Sequence, residues 1–528
     1  MSGKEREISS YKTVLPRPAR DADTVKHSST TLRPPAKRTA AHDSPAFEKA
    51  AEQEVSDSVQ YQEFAISNPV KADMGDDFEN INRGRNRKQR LVEKDSRRLN
   101  SESWISRNGH NLTYVGVFLF TFTLYFRPYQ LIPALSQLDS MALIIAIITL
   151  LVYLPTQLSL EGSITTTTTE TKCILFIAFW ALLTIPIAKD PGLAWEMLSG
   201  TFSKVAIIFV IMVNTLRSPG RLKGLIWLGI AVGVMLSYQC IVLYQQGEFA
   251  VEGYRVGLDF GGMFGNPNDM AIHLVMFTPI ALLLGIGTKN RIAKLVYYAA
   301  AAVMVAGNMV TQSRGGFLGL LMVAAVLIWK LGKASRFKVL LASIFIGAVV
   351  VAAAPGNYGT RMLSIFIPGL DPVASSEQRR DLLTQSVIVS LRNPAGIGMD
   401  NFRIVGTRNL VTHNAYTQVS SELGLLALAA YLILLVSPLC KLASIERRAY
   451  EQKDNAWIYY MSVGLQASIA GYMVSSFFAA VAYEWYVYYP IAFAICLRRI
   501  YKLKTVENEQ TDTAKGPFFR SAVDPVGA

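Results

Sequence analysis

The sequence predicts an all-α polytopic membrane protein of about 12 transmembrane helices, with a large outer loop and a disordered N-terminal tail. Three observations carry that expectation. The chain is 51 % hydrophobic and only 17 % charged, against roughly 25 % charged in soluble globular proteins. Its charge is crowded at one end: 37 of the 91 Lys, Arg, Asp and Glu residues fall in the first 110 positions, leaving about 13 % charge in the other 418. From Leu112 onward, apolar runs of about 15–23 residues alternate with short polar links, as spanning helices require. This composition excludes a soluble enzyme.

Residues 1–110 are rich in Ser, Pro, Asp, Lys and Arg and hold no lasting apolar periodicity. Such a segment cannot bury enough apolar surface to offset its conformational entropy, so a disordered cytoplasmic tail is expected. No apolar core follows its first basic residues, so it is not a signal peptide. Its last part, Arg83 to Arg98, is densely basic, suited to anionic lipid heads or simply to retaining the tail inside. The polytopic domain is expected over 111–504, with a C-terminal cytoplasmic tail over 505–528.

The expected spans are Leu112–Phe126, Met141–Leu154, Cys173–Ala188, Val205–Leu216, Leu222–Tyr244 and Met270–Gly287. Ile292–Val310, Gly316–Leu331, Phe337–Ala354, Ser421–Leu439, Ala456–Phe478 and Trp485–Leu497 follow. The second and fourth are short for a bilayer. With the tail inside, the inner links Arg217–Lys223, Thr288–Lys294, Lys330–Lys338, Lys441–Asn455 and Arg498–Lys504 are all rich in Lys and Arg. That asymmetry is the positive-inside pattern and makes both termini cytoplasmic. Only Pro155–Lys172 departs from it, and its threonine run Thr165–Thr169 has no evident purpose. The net charge of +13 is thereby explained by loop charges, with no nucleic-acid partner required. Cys173, Cys240, Cys440 and Cys496 sit in or beside apolar stretches without metal-ligand spacing, as packing residues would.

The outer side differs. Beyond the fifth span its links hold eight arginines, from Arg255 to Arg408, and no lysine. A guanidinium offers a planar fork that grips phosphate bidentately, so an arginine-only face points to a phosphate-bearing ligand. One outer link, 355–412, far exceeds the usual helix–helix connector of about 2–8 residues. It contains a helix-like stretch, Glu377–Leu391, and a Gly/Pro-rich segment, Asn393-Pro-Ala-Gly-Ile-Gly398, as a small folded cap would.

Three clusters fall at similar depth on that side. Arg255 precedes Gly265-Asn-Pro-Asn-Asp269 at the sixth span; Ser313-Arg314-Gly315-Gly316 opens the eighth; His413-Asn414, with Glu422 and Gly424, opens the tenth. Together they resemble the O-antigen ligase and O-antigen polymerase superfamily of bacterial envelope enzymes. The ligase-type signature is His, then Asn, Ser or Gln, nine residues, Gly, two residues, and Gly, Thr or Tyr. His413, Asn414 and Gly424 fit it, while Ala427 stands at its last position. The resemblance covers roughly Val205 to Leu439, with Arg380 and Gly396-Ile-Gly398 of the long loop also fitting.

The resemblance implies a membrane glycosyltransferase of the bacterial inner membrane whose long loop is periplasmic. Arg255 and Arg314 would hold the pyrophosphate of an undecaprenyl-linked glycan donor, and His413 would be the catalytic histidine acting on an acceptor hydroxyl. Arg380, Asn266, Asn268 and Asn414 are further candidates for substrate binding. The acceptor would be a glycan, lipid A-core or a protein hydroxyl. Ala427 and the lack of a second histidine in the long loop tilt towards polysaccharide polymerisation. No Asp/Glu pair of metal-binding type appears in these loops, so neither metal nor cofactor is expected.

Each residue also has a bland reading. Arg255 can snorkel to lipid phosphates, His413 can cap a helix, Asn266-Pro267-Asn268 can be a turn, and Arg379-Arg380 can be a solvated helix face. The run Tyr483-Glu-Trp-Tyr-Val-Tyr-Tyr489 fits an interfacial aromatic belt or, alternatively, a sugar-stacking surface. The competing function is a polytopic transporter or flippase of lipid-linked sugars. A transporter usually places its charges near the midplane and often shows an internal repeat, whereas here the ionisable residues gather at the outer rim. A glycan-binding regulatory protein is a third possibility.

Overall fold

The computed structural model describes residues 104–127, 141–249, 264–332, 358–365, 375–451 and 456–514, with residues 251, 253, 255–258, 337, 341 and 347 between them. All belong to one compact unit. The basic stretch Arg83–Arg98, nearly all of the tail, most of the expected span Phe337–Ala354 and part of the long loop lie outside the described residues.

The described chain is helical throughout apart from one antiparallel bridge, Val251 with Arg255. The helices are α1 (Trp104–Phe126), α2 (Met141–Glu161), α3 (Thr169–Ile187), α4 (Pro191–Thr215), α5 (Pro219–Gln246), α6 (Pro267–Gly287), α7 (Arg291–Val310) and α8 (Arg314–Leu331). On the loop side follow α9 (Tyr358–Leu363), α10 (Ser375–Arg392) and α11 (Ala415–Glu422), then α12 (Gly424–Glu451), α13 (Ala456–Ser475) and α14 (Trp485–Ala514). Eight of them, α2 to α8 and α12, are long and apolar enough to cross a membrane. Helices α1, α13 and α14 stand where the first, eleventh and twelfth spans are expected but carry more polar residues.

Sequence boundaries differ from observed ones for local reasons. The expected span ending at Leu154 runs on to Glu161, straight through Pro155. Proline cannot donate to the helix ladder and so leaves the Leu151 carbonyl without its usual N–H, a loss that spanning helices tolerate. The expected span Val205–Leu216 is preceded by a helical turn and a π-turn, Leu198–Phe202, so that α4 reaches 25 residues. Asp190 starts it, its Oδ1 accepting from Leu193 N (3.1 Å), with Pro191 at the first helical position. Helix α1 begins at Trp104, inside the stretch expected to be tail, and α14 continues past Leu497 to Ala514.

Helix α6 is apolar on every side and almost wholly buried, as a helix at the centre of a bundle must be. It packs against α13, α7, α8 and α5. Close approach of α6, α8 and α13 depends on glycine: a Cβ at Gly471 would lie 2.7 Å from both Val275 Cγ1 and Val323 Cγ2. Lipid chains are as apolar as leucine, so small residues that bring backbones together are what drives such packing.

The aromatic run belongs to this core, which corrects both readings of it. Tyr483, Tyr486, Tyr488 and Tyr489 are all buried. Phe202 meets Tyr483 and Tyr488 edge-on at 5.7 and 6.0 Å, and Tyr489 shares a hydrogen bond with Thr121 (2.9 Å). The run thus fastens the start of α14 to α4 and α1. Three of the cysteines are buried, while Cys440 is exposed on α12.

Basic residues of the expected inner links pair with acids at the opposite end of the bundle. Glu170 takes Lys441 (2.9 Å) and Arg498 (3.3 Å), and Glu446 takes Lys330 (2.5 Å). These pairs tie α3 to α12 and α14, and α8 to α12. Gly471→Leu should overpack the α6–α8–α13 crossing and cost about 1–3 kcal/mol, seen as a lower unfolding temperature in detergent. Gly220→Ala, where a Cβ meets nothing within 4 Å, should leave it unchanged.

Candidate active site

Asparagine and serine caps build the site. Asn266 begins α6, its Oδ1 accepting from Asn268 N (2.9 Å), and Pro267 supplies the fixed first turn. Ser313 begins α8, its Oγ accepting from Gly316 N (3.2 Å), which sets Arg314 at the first helical position. Asn414 begins α11, its Oδ1 accepting from Tyr416 N (2.9 Å) and Thr417 N (3.0 Å).

The first two caps are joined through Asn268. Arg255, pinned by its bridge to Val251, is only 2 % exposed, which removes the snorkelling alternative. Its Nε donates to the Thr311 carbonyl (3.1 Å) and its Nη2 to Asn268 Oδ1 (2.8 Å). The same oxygen accepts from Ser313 Oγ (2.9 Å). Arg361 of α9 closes over this junction by donating from Nε to the Gln312 carbonyl (2.8 Å).

His413 joins the third cap to the other two. It lies at the seam of two cavities of about 280 and 390 Å³, both lined by His413 and Arg379. Arg314, Arg380, Asn414, Phe477 and Phe478 line the first, and Arg255, Asn266, Asn268 and Gln378 the second. All seven residues singled out in the sequence therefore face one pair of adjoining cavities. The backbone of His413 is left-handed (φ 51°), so the imidazole's direction is set by the turn before α11. Among the described residues, no group of three or more His, Cys, Asp and Glu converges as a metal site would require.

Arg379 is the residue that sequence reasoning undervalued. It sits half-buried on α10, the helix expected at Glu377–Leu391, beside the exposed Arg380. The arginine-only outer face was its one signal. Burial, with the Arg379 charge adding to it, pushes the His413 imidazole down to about 4, so it is neutral at pH 7.

The Gly396-Ile-Gly398 segment is a brace. Ile397 N donates to the Ser421 carbonyl (3.0 Å), Gly398 N to the Glu422 carbonyl (2.9 Å) and Leu425 N to the Pro394 carbonyl (3.0 Å). Gly396 has φ 91°, and a Cβ there would lie 2.6 Å from the Glu422 carbonyl carbon, so only glycine fits. Glu422 is buried beneath it, accepting from Asp400 N (3.0 Å). Burial, then the Asp400 carboxylate, raises Glu422 to about 8, leaving it protonated and structural. Ala427 is also fully buried, in the core.

Modification of His413 by diethyl pyrocarbonate, which needs the neutral imidazole, should fall to half its plateau rate only near pH 4. In Arg379→Gln one of the charges that disfavour imidazolium is gone, so the midpoint should move up towards the unperturbed value of about 6.5. Peptide mass spectrometry at each pH reads both.

Residues 299–432 match the family model described as O-antigen ligase, a segment that includes Arg314, Arg380, His413 and Asn414. Arg255, Asn266 and Asn268 precede the matched segment in the chain. No curated protein matches the chain. With its spanning helices and with this segment bringing four of the seven residues to one pair of cavities, the chain is a multi-pass membrane protein that carries an O-antigen ligase family domain at residues 299–432.

Proposed function

We propose that the protein is a glycosyltransferase that transfers or polymerises a glycan carried on undecaprenyl pyrophosphate, working at the outer face of the bacterial inner membrane with both termini in the cytoplasm. The observation that carries this reading is a neutral histidine at the seam of two cavities whose cations are all arginine. Arg255 and Arg314 hold the donor pyrophosphate. The acceptor hydroxyl attacks the sugar C1 as the C1–O bond to pyrophosphate breaks, and its proton passes to His413. Negative charge grows on the departing lipid pyrophosphate, where fixed guanidinium groups stabilise it.

The neighbours fit supporting roles. Asn414 Oδ1 is committed to the helix cap, while its buried Nδ2 has no partner among the described residues and would donate to a sugar oxygen. Asn268 acts on Arg255 rather than on substrate. Arg379 and Arg380 extend the cationic wall towards the glycan. The acceptor is a hydroxyl of another glycan, of lipid A-core or of a protein. The chemistry runs on guanidinium and imidazole groups, so a chelator should leave it intact.

His413→Ala should still bind the lipid-linked glycan but lose about 10²–10⁴ in rate, with unused donor accumulating in cells. Purified protein, the donor and an assay for released lipid pyrophosphate measure this. A wild type that releases none with any acceptor would favour a transporter instead. Arg255→Lys and Arg314→Lys should be nearly as damaging as the alanine variants, because an ammonium cannot replace a bidentate fork. Near-normal product from Arg314→Lys at equal protein level would reduce that arginine to a point charge.

A further inference from the structure

We propose that the opposite end of the bundle holds a second anion site, taking a phosphate mono- or diester with a glycerol- or sugar-sized substituent. Helix α3 runs from this end, where Thr168 caps it, to the Lys189 turn, whose N–H donates to the Ile397 carbonyl of the brace (2.8 Å). At 1.5 Å per residue the two ends stand roughly 30 Å apart. A polar cavity of about 570 Å³ opens here, lined by Glu161, the threonines 165–168, Arg217, Arg499 and Lys502. It belongs to none of the chemistry assigned to His413.

Two guanidinium groups from distant parts of the chain meet one carboxylate, and Lys502 adds a third positive charge to the cavity wall. Glu161 Oε1 takes Arg217 Nη2 (2.9 Å) and Arg499 Nη2 (2.6 Å), and Glu161 Oε2 accepts from Gln157 Nε2 (2.7 Å). Gln157 Oε1 in turn accepts from Arg217 Nη2 (2.8 Å). Glu161 therefore orients both guanidinium groups but cancels only one of the three charges. Lys502 follows Arg499 by three residues on α14, so it stands on the same helix face.

The threonine run supplies the neutral half of the site. Buried Asn214 holds it, its Nδ2 donating to Thr165 Oγ1 (2.9 Å) and its Oδ1 accepting from Thr166 N (3.1 Å). Tyr153 fixes the preceding residue by donating to the Ile164 carbonyl (2.6 Å). With the backbone so held, Thr166 Oγ1 and Arg499 Nη1 are left buried with no partner among the described residues. Such groups are costly to leave unmatched. Oriented guanidinium donors beside hydroxyls are the partners that phosphate oxygens take.

The source of the phosphate is a lipid headgroup or a soluble ester, and one set of measurements separates them. The full chain in zwitterionic detergent is offered dioleoyl-phosphatidylglycerol or dioleoyl-phosphatidylcholine and analysed by native mass spectrometry; glycerol 3-phosphate is titrated separately by calorimetry. Preferential retention of one phosphatidylglycerol without glycerol 3-phosphate binding assigns a headgroup site. Glycerol 3-phosphate binding without lipid assigns a soluble ligand. In either case Lys502→Gln and Thr167→Val together should weaken binding about tenfold, and Arg499→Gln by more, since Arg499 supplies an oriented charged donor. Lys502 and Thr167 are exposed, so that double variant should keep the wild-type unfolding temperature without ligand. Absence of both bindings, or variants that bind as the wild type does, would overturn the proposal. Neither outcome touches the His413 assay.

Discussion

The side-chain oxygen of Asn268 receives hydrogen bonds from Arg255 and from Ser313, and through them the links before α6 and α8 become one surface. A guanidinium as deeply buried as that of Arg255 is tolerable only where acceptors meet its donors. An amide oxygen has the two lone pairs to serve both neighbours. It is also uncharged, which matters as much as its geometry. A carboxylate in this position would hold Arg255 equally well and cancel its charge, whereas the amide leaves the positive field for whatever occupies the cavity. Arginine position, helix start and cavity wall all follow from that one oxygen.

Much of this was legible in the sequence because membranes write coarse signals. Apolar runs marked the eight helices that are long and apolar enough to span, and the polar clusters around Arg255, Arg314 and His413 marked where the site residues stand. The meeting of Arg255, Arg314 and His413 was foreshadowed by their common depth at span ends, although only folding brings Arg379 between them. What escaped was tertiary. Pro155 looks like a stop, yet α2 runs through it to Glu161, and the turn before Val205 is too polar to announce itself as part of α4. The tyrosines from Tyr483 to Tyr489 have the composition of an interfacial belt, and only the neighbouring Phe202 and Thr121 reveal them as core.

The two ends of the bundle treat charge in opposite ways. On the side away from His413, acids such as Glu170 and Glu446 are buried and answered by lysines and arginines from neighbouring helices. Those pairs hold helix ends together where loops are short. On the His413 side, Arg255 and Arg361 are met by carbonyl and amide oxygens instead, those of Thr311, Gln312 and Asn268. Neutral acceptors keep these side chains in place without neutralising them, so the cavities around His413 stay positive.

The caps at Asn266, Ser313 and Asn414 have a consequence of their own. Helices α6, α8 and α11 all begin at the cavity walls, so three macrodipoles present their positive ends there, each equivalent to roughly half an elementary charge. That part of the potential belongs to peptide groups and survives any exchange of side chains. An anion in these cavities would be drawn by the main chain as well as by the arginines, and the backbone share neither titrates nor changes rotamer.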